Sequence, residues 1–187
     1  MTPVTTPSST APTQRLFFAL WPPAELSREL YRLAGNVLRG DAGRRVMPEH
    51  IHLTLAFLGS VDASFRECAE QAAVAIRAES FMLMLEQMGY WPKSGILWVG
   101  PNQTPQPLLH LVQDLNAGLA GCGHEAEKRP YAAHLTLARK ARPHGDIHSI
   151  ESRAWEINRF HLVQSHTPAD GARYEILRSW RLNSPAA

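Results

Sequence analysis

The five-residue string HLTLA occurs twice in this chain, first from His52 to Ala56 and again from His134 to Ala138. In an extended strand successive side chains alternate between two faces, so the His and Thr of each string share one face and the two Leu share the other. Each string therefore predicts a strand with an apolar face for a core and a second face that presents an imidazole beside a hydroxyl. Core packing explains the leucines, but it does not require His and Thr at the same two offsets.

Two such strands lying side by side would bring together two histidines, His52 and His134, and two threonines, Thr54 and Thr136. A neutral imidazole can take a proton from an attacking water, and a protonated one can give a proton to a leaving oxygen, because imidazole titrates near pH 6.5. Threonine hydroxyls can donate hydrogen bonds to phosphate oxygens. The doubled pattern thus favours a paired site for phosphodiester cleavage without a metal. The alternative is that each histidine is a core residue satisfied by a neighbouring backbone group.

The elements around these strings predict an α+β chain. Short apolar segments predict strands. They are RLFFALW, which begins at Arg15, HLTLAFLG, which ends at Gly59, and then FMLMLEQMGYW, GILWVG, AAHLTLARK, FHLVQS and YEILRSWRL. Apolar residues at helical spacing predict helices over 25–38, 63–78 and 108–119. The segment IHSIESRAW is weakly patterned, and Asp170-Gly171 predicts a turn. The Thr-, Ser- and Pro-rich residues 1–14 predict a disordered tail, 15–183 a single domain and 184–187 a C-terminal tail.

The bulk composition indicates a soluble, mildly basic protein. The 187 residues suit one compact domain, 44% are hydrophobic and 19% charged, and the formal charge of +2 permits an anionic ligand without a dense basic block. Cys68 and Cys122 lack CxxC spacing, cannot form a disulfide framework and suit a reducing cytosol. No apolar run approaches the roughly 18 residues of a membrane span, and the N-terminus is not a secretory signal. A cytoplasmic protein without membrane association is therefore expected.

With FFAL, PEHIHLTLAFLG, ILWVG and PYAAHLTLARK in this order, the sequence resembles the 2H phosphoesterase superfamily. Its bacterial RNA 2′,3′-cyclic phosphodiesterases, first described as 2′-5′ RNA ligases, are the most similar branch. The resemblance runs from about residue 15 to 182. It implies a bilobal α+β fold, with antiparallel or mixed sheets and flanking helices around a central groove to which each lobe contributes one HxTx motif. It also implies hydrolysis of ribose 2′,3′-cyclic phosphate ends to 2′-phosphates. By motif position, His52 would be the acid that protonates the 3′-oxygen, His134 the base that activates water, and Thr54 and Thr136 would hold the phosphate.

Further candidates for substrate binding flank the two motifs. Similar proteins often carry a basic residue after the second motif that approaches the phosphate, and Arg139 holds that position here. Strict alternation puts Arg139 on the face opposite His134 and leaves Lys140 on the same face, so either a bulge turns Arg139 inward, or Lys140 takes its place, or both are solvated. Phe57 holds the matching position of the first motif and could stack on a base, although a core position is the alternative. Tyr131 and Arg45 precede the two strands, where they could border the groove or be ordinary surface.

Two competing functions remain open. The chain could be a non-catalytic RNA- or nucleotide-binding module that uses the imidazoles only as donors, or it could catalyse reversible 2′-5′ ligation at the same site. Trp91 and Trp98 are most simply core residues. His144 and His148 share i, i+4 spacing, but Gly145-Asp146 between them favours a loop, so neither a metal nor a cofactor is expected. The expected partner is RNA, or a nucleotide, with a 2′,3′-cyclic phosphate end. The sequence shows no interface signature, and a monomer is the expectation.

Overall fold

The computed structural model describes residues 12–40, 42–144, 147, 149–166 and 172–184. The described chain forms nine strands and three α-helices. They are β1 Gln14–Leu20, α1 Ala24–Val37, β2 Arg44–Arg45, β3 Leu53–Val61, α2 Ala63–Val74, β4 Phe81–Trp91, β5 Ile96–Gly100, α3 Gln106–Ala120, β6 Leu135–Arg139, β7 Ser149–Ile157, β8 Arg159–His166 and β9 Arg173–Arg181. A one-turn 3₁₀ helix, Pro48–His50, precedes β3. The α+β class is confirmed.

The helices form where the apolar spacing predicts them. In α1 the buried Leu26, Leu30 and Ala34 recur every four residues and so form one apolar stripe. Helix α2 begins at an N-cap, Asp62, whose carboxylate accepts a hydrogen bond from the Phe65 amide at 2.8 Å. Its expected extension to residue 78 is wrong, and the helix ends at Val74.

The early end of α2 has a cause in the tertiary structure. The carbonyl of Ala78 accepts a hydrogen bond from the amide of Asn183, and the amide of Ser80 donates to the carbonyl of Asn183. Residues near 79 thereby form a short bridge with the C-terminal segment, which requires an extended backbone instead of a further helical turn. Local spacing could not show this competition.

The strands form one sheet in the order β7-β4-β5-β6-β3-β1-β8-β9, with β2 paired to β6. All pairings between named strands are antiparallel. The halves β7-β4-β5-β6 and β3-β1-β8-β9 meet where Leu53 pairs with Leu135. The weakly patterned segment becomes the edge strand β7. Its weak pattern follows from pairing with β4 alone, which leaves few positions, such as Trp155 and Ile157, to bury.

The helices cover one face of this sheet. Leucines of α1 and α3 share one core cluster with alternate residues of the central strands, among them Leu16, Phe18, Leu53 and Leu135. A second, small cluster of Phe17, Ala19 and Val163 lies on the other side of β1, with Trp21 and Tyr174 packed against it. The strand face opposite the helices is the groove face, and the His and Thr of both motifs belong to it.

One interpretation of the sequence is wrong. Cys68 of α2 and Cys122, just beyond α3, are joined by a disulfide. The two helices pack closely enough that a Cβ on Gly118 would lie 3.1 Å from the Cβ of Ala72. The cysteine content therefore no longer supports a reducing compartment.

No helix in the described part of the chain is long and apolar enough to cross a membrane. The expected turn at Asp170-Gly171 and the segment with Gly145, Asp146 and His148 lie outside the described residues. Residues 1–11 and 185–187 do so too, and the two tails stay predictions.

Candidate active site

The Leu53–Leu135 pair brings the two motifs together. Both leucines are fully buried, so the residues on either side of each of them belong to the groove face. Continuing the antiparallel register by one residue in each direction places His52 across from Thr136 and His134 across from Thr54. The four polar residues thus form a nearly two-fold symmetric group. The pKa of His52 is lowered in part by the charge of His134, so the imidazoles are electrostatic neighbours.

Each motif strand contains a β-bulge at the same motif position. In β3, Thr54 and Ala56 pair with the consecutive residues Ala19 and Phe18, which leaves Leu55 as the extra residue. In β6, Thr136 and Ala138 pair with the consecutive Trp98 and Leu97, which leaves Leu137 as the extra residue. A bulge shifts the alternation by one residue, and in both strands the fourth and fifth motif residues are buried in succession.

The bulges turn Phe57 and Arg139 onto the groove face. The position that follows each buried pair is exposed, and it is Phe57 in β3 and Arg139 in β6. Phe57 is also the strand partner of Phe17, which contacts His52. Strict alternation does not hold in β6, and a bulge turns Arg139 inward. Lys140 follows the end of β6 with a φ of 50°, in the turn after the strand.

Each catalytic candidate is held by the backbone in the same way. His52 Nδ1 lies 2.8 Å from the carbonyl oxygen of His50, and His134 Nδ1 lies 2.8 Å from that of Ala132. A carbonyl oxygen can only accept, so Nδ1 carries the proton in both rings. In the neutral ring Nε2 therefore keeps its lone pair, and in the protonated ring Nε2–H becomes a donor.

His52 is surrounded by aromatic rings. The indole of Trp21 stacks on it at 5.0 Å between centroids, and Phe17 and Tyr174 lie at 4.9 and 5.1 Å. Burial is the main reason why the pKa of His52 falls to about 4, and the charge of Arg139 lowers it further, against the raising effect of the His50 carbonyl. His52 is therefore neutral in the unliganded protein near pH 7.

His134 is more open than His52. The rings of Trp91 and His134 are nearly perpendicular with their centroids 4.7 Å apart, and the centroids of Trp91 and Trp98 are 5.3 Å apart. Burial and the charge of Arg139 also lower the pKa of His134. The expectation that both tryptophans are core residues is wrong, because neither belongs to the buried core. Trp98 pairs with Thr136 on the groove face, and Trp91 contacts the ring of His134. Gly89, the partner of Trp98 in β4, leaves the space that the ring fills.

Tyr131 connects the two halves of the site. Its hydroxyl donates a hydrogen bond of 2.9 Å to the carbonyl oxygen of Thr54, and burial raises the pKa of the phenol. Because this hydroxyl already donates its hydrogen to Thr54, it has none to donate to a substrate. Tyr131 therefore positions the first motif, although it lies in the loop that precedes the second motif. Arg45 lies over the ring of Tyr31 on the helical side, 4.1 Å from its centroid, and does not border the groove.

The aromatic residues around His52 have no signature in the sequence. Trp21 ends the first apolar run, and Tyr174 belongs to the last strand, far from either motif. Only the pairing of β1 with β3 and β8, and of β8 with β9, brings them to His52.

Within the described residues, no group of three or more His, Cys, Asp or Glu side chains is placed to hold a metal ion. Two imidazoles with outward Nε2 atoms and two hydroxyls can perform acid–base chemistry on a phosphate.

Comparison with known proteins agrees with the fold. The sequence model of the 2′-5′ RNA ligase superfamily matches residues 22–168. An RNA 2′,3′-cyclic phosphodiesterase of Escherichia coli K12 is 34% identical over 170 residues, which cover 90% of this chain and 97% of the relative. The structure of E. coli LigT in apo form has a TM-score of 0.84 at 33% identity and covers 93% of this chain and all of LigT. LigT complexed with 3′-AMP gives a TM-score of 0.82 at 32% identity, over 92% and 99% of the two chains.

These matches cover nearly the whole described fold. The chain belongs to the 2′-5′ RNA ligase superfamily, the 2H phosphoesterases. The resemblance to the 2H phosphoesterase superfamily is confirmed, and so is the classification of the chain as a phosphodiesterase enzyme.

Proposed function

We propose that this enzyme hydrolyses the 2′,3′-cyclic phosphate at the end of an RNA strand to a 2′-phosphate. The observation that carries the proposal is the symmetric pair of histidines, each with Nδ1 on a backbone carbonyl and Nε2 left for chemistry. The curated relative from E. coli carries the name of this activity, and LigT has been solved with 3′-AMP, which supports a nucleotide in the groove.

The reaction uses the two imidazoles in opposite protonation states. Nε2 of His134 takes a proton from water as the water oxygen attacks phosphorus. The bond between phosphorus and the 3′-oxygen breaks, and Nε2–H of His52 gives its proton to that oxygen. The products are a 2′-phosphate and a 3′-hydroxyl, and the histidines exchange their protons with solvent afterwards. This choice of acid and base rests on the family resemblance.

The acid role of His52 requires a proton that the unliganded site disfavours. Burial and the charge of Arg139 oppose the cationic ring, but an anionic phosphate beside it favours protonation. Substrate binding therefore raises the pKa of His52. The imidazole takes up a proton, which it then donates to the leaving 3′-oxygen. The hydroxyls of Thr54 and Thr136 and the guanidinium of Arg139 donate hydrogen bonds to the phosphate oxygens, where negative charge develops.

Phe57 offers a surface for a nucleobase. Its side chain is 49% exposed on the groove face, and Arg15 lies over the ring with its guanidinium carbon 4.9 Å from the centroid. Aromatic rings bind unpaired bases by stacking, in a way that tolerates any base. We assign base stacking to Phe57, and Tyr131 holds Thr54 in place.

The test uses pure protein, excess EDTA and an oligonucleotide that ends in a 2′,3′-cyclic phosphate. We expect a 2′-phosphate product, and the change of His52 or His134 to Ala should lower kcat by roughly 100- to 10,000-fold while substrate still binds. His110→Ala, an exposed histidine on α3, is the matched control. A 3′-phosphate product would overturn the acid role of His52, and retained activity in both variants would favour the binding-module alternative.

Reversible 2′-5′ ligation at the same site needs no extra residue. Water at roughly 55 M makes hydrolysis the net direction for a strained ring in an open groove. We also propose that the enzyme acts in the cytoplasm, since its RNA substrate is intracellular. Alkylation of free thiols at lysis, followed by mass spectrometry of Cys68 and Cys122, tests whether the disulfide forms there.

A further inference from the structure

Strand β2 carries two consecutive arginines that lie on opposite faces of the sheet. Arg45 pairs with Ala138, and its guanidinium lies over Tyr31 of α1 on the helical side. Arg44 pairs with Arg139. Paired residues of neighbouring strands point to the same face, so Arg44 lies on the groove face next to Arg139. Both arginines are exposed.

Arg139 links this basic pair to the histidines. Its charge lowers the pKa of both His52 and His134, so it lies within electrostatic reach of the reacting phosphate. Arg44 is one strand further out, at the usual strand spacing of about 5 Å. Two neighbouring guanidinium groups on one face of a sheet can both donate hydrogen bonds to the oxygens of an anionic group.

The chemistry of the substrate identifies a suitable anion. The cyclic phosphate is the group that the histidines and threonines surround. A 2′,3′-cyclic phosphate is by nature the 3′ end of a strand, so every other phosphate of the substrate lies on its 5′ side. A cyclic mononucleotide has no such group, and an oligonucleotide has one directly before its last nucleotide.

We propose that Arg44, beside Arg139, binds the phosphodiester on the 5′ side of the terminal nucleotide and thereby makes the enzyme prefer RNA ends to cyclic mononucleotides. The inference rests on the proposed function, because it assigns a second phosphate of the same substrate. Guanidinium groups suit this role, since their N–H groups match the oxygens of a phosphate in a bidentate way.

The experiment compares kcat/KM for a cyclic mononucleotide and for an oligonucleotide with the same terminal nucleotide. In the Arg44→Ala variant we expect the ratio of oligonucleotide to mononucleotide kcat/KM to fall about tenfold, the size of one lost charged hydrogen-bond contact. The salt dependence of oligonucleotide binding should also weaken, with a slope smaller by about 0.7. The neighbouring Arg45→Ala variant loses the same charge from the other face of the sheet, and its ratio should equal that of the unaltered enzyme.

The outcomes separate the inference from the proposed function. If the unaltered enzyme hydrolyses neither substrate, the proposed function fails. If it hydrolyses both and Arg44→Ala lowers both kcat/KM values equally, Arg44 serves the reacting phosphate or the fold, and the inference is overturned. An equal fall of the ratio in Arg44→Ala and Arg45→Ala would indicate a general charge effect and would also overturn it.

Discussion

Leu53 of β3 pairs with Leu135 of β6, and through this pair the two halves of the described sheet meet. Each leucine follows a motif histidine and precedes a motif threonine. Because the pairing is antiparallel, the register sets each histidine across from the threonine of the other motif. The pairing of the buried leucines thus determines the positions of the histidines and threonines on the groove face.

The symmetry ends at the fifth residue after each histidine. The bulges bring Phe57 and Arg139 to equivalent places on the groove face, with an aromatic ring in one half and a cation in the other. The cation acts on the whole site, because its charge lowers the pKa of both His52 and His134.

Arg139→Gln should raise the pKa of both motif histidines, because a nearby positive charge that disfavours their cationic forms is removed. In the unaltered enzyme both pKa values lie below 6.5, so kcat/KM should peak at a pH below 6.5 and fall on either side. In the variant both limbs should move to higher pH, while phosphate binding weakens. Titration of the imidazoles by NMR measures the shift directly.

Arg45→Gln is the control for this shift. It removes the same charge from the opposite face, where Arg45 lies over Tyr31. Its pH profile should match that of the unaltered enzyme. Equal histidine pKa values in Arg139→Gln and the unaltered enzyme would show that Arg139 has no electrostatic role in the site.

Gly89→Ala should disturb the surroundings of His134. A Cβ at this position would lie 2.2 Å from Cζ2 of Trp98, so the indole must move. Trp98 contacts Trp91, which contacts His134, and overpacking of this kind costs about 1–3 kcal/mol of stability. We expect a lower unfolding midpoint and a lower kcat.

A second substitution shows whether the effect passes through the indole. Trp98→Phe in the Gly89→Ala background removes the ring atoms nearest the new methyl group and should restore part of both stability and kcat. If kcat in Gly89→Ala is unchanged while Trp98 shifts, the tryptophans do not position His134.

The alternation of the sequence predicts both motif strands and the polar face that they share, since Leu, His and Thr follow a period of two. It misplaces Arg139, because a bulge at Leu137 shifts that period and single-sequence alternation contains no sign of it. Likewise, Trp21 and Tyr174 become neighbours of His52 through the order of strands in the sheet. Nearest-neighbour patterns define elements, whereas strand order depends on the free energy of the whole fold.

The disulfide is another feature that local sequence patterns could not predict. Cys68 and Cys122 carry no local signature, and their contact follows from the packing of α2 against α3. Changing both residues to Ala should lower the free energy of unfolding by about 4 kcal/mol, because the bond closes a loop with a sequence separation of 54. Urea unfolding with and without a reducing agent measures this. If reduction leaves the midpoint of the unaltered protein unchanged, the disulfide does not contribute to stability.

A third histidine on the groove face should control stability in mild acid. His161 is 6% exposed, and its Nδ1 lies 2.8 Å from Oγ of Ser179. Burial, and then the charge of Arg159, lower the pKa of His161 to about 4. Between pH 6.5 and 4 the unfolded chain binds more protons than the folded one, so the free energy of unfolding falls as the pH falls. Above pH 6.5 the imidazole is neutral in both the folded and the unfolded chain, so its burial does not lower the free energy of unfolding there.

His161→Gln removes this titration and keeps a side chain that can hydrogen-bond Ser179. A pKa change from 6.5 to about 4 corresponds to about 3 kcal/mol, of which about 2 kcal/mol is lost by pH 5. The unaltered protein should therefore lose about 2 kcal/mol more than His161→Gln between pH 7 and pH 5, since all carboxylates are common to both. Urea unfolding at several pH values measures the difference. Parallel pH curves for the two proteins would show that His161 titrates alike in the folded and unfolded states.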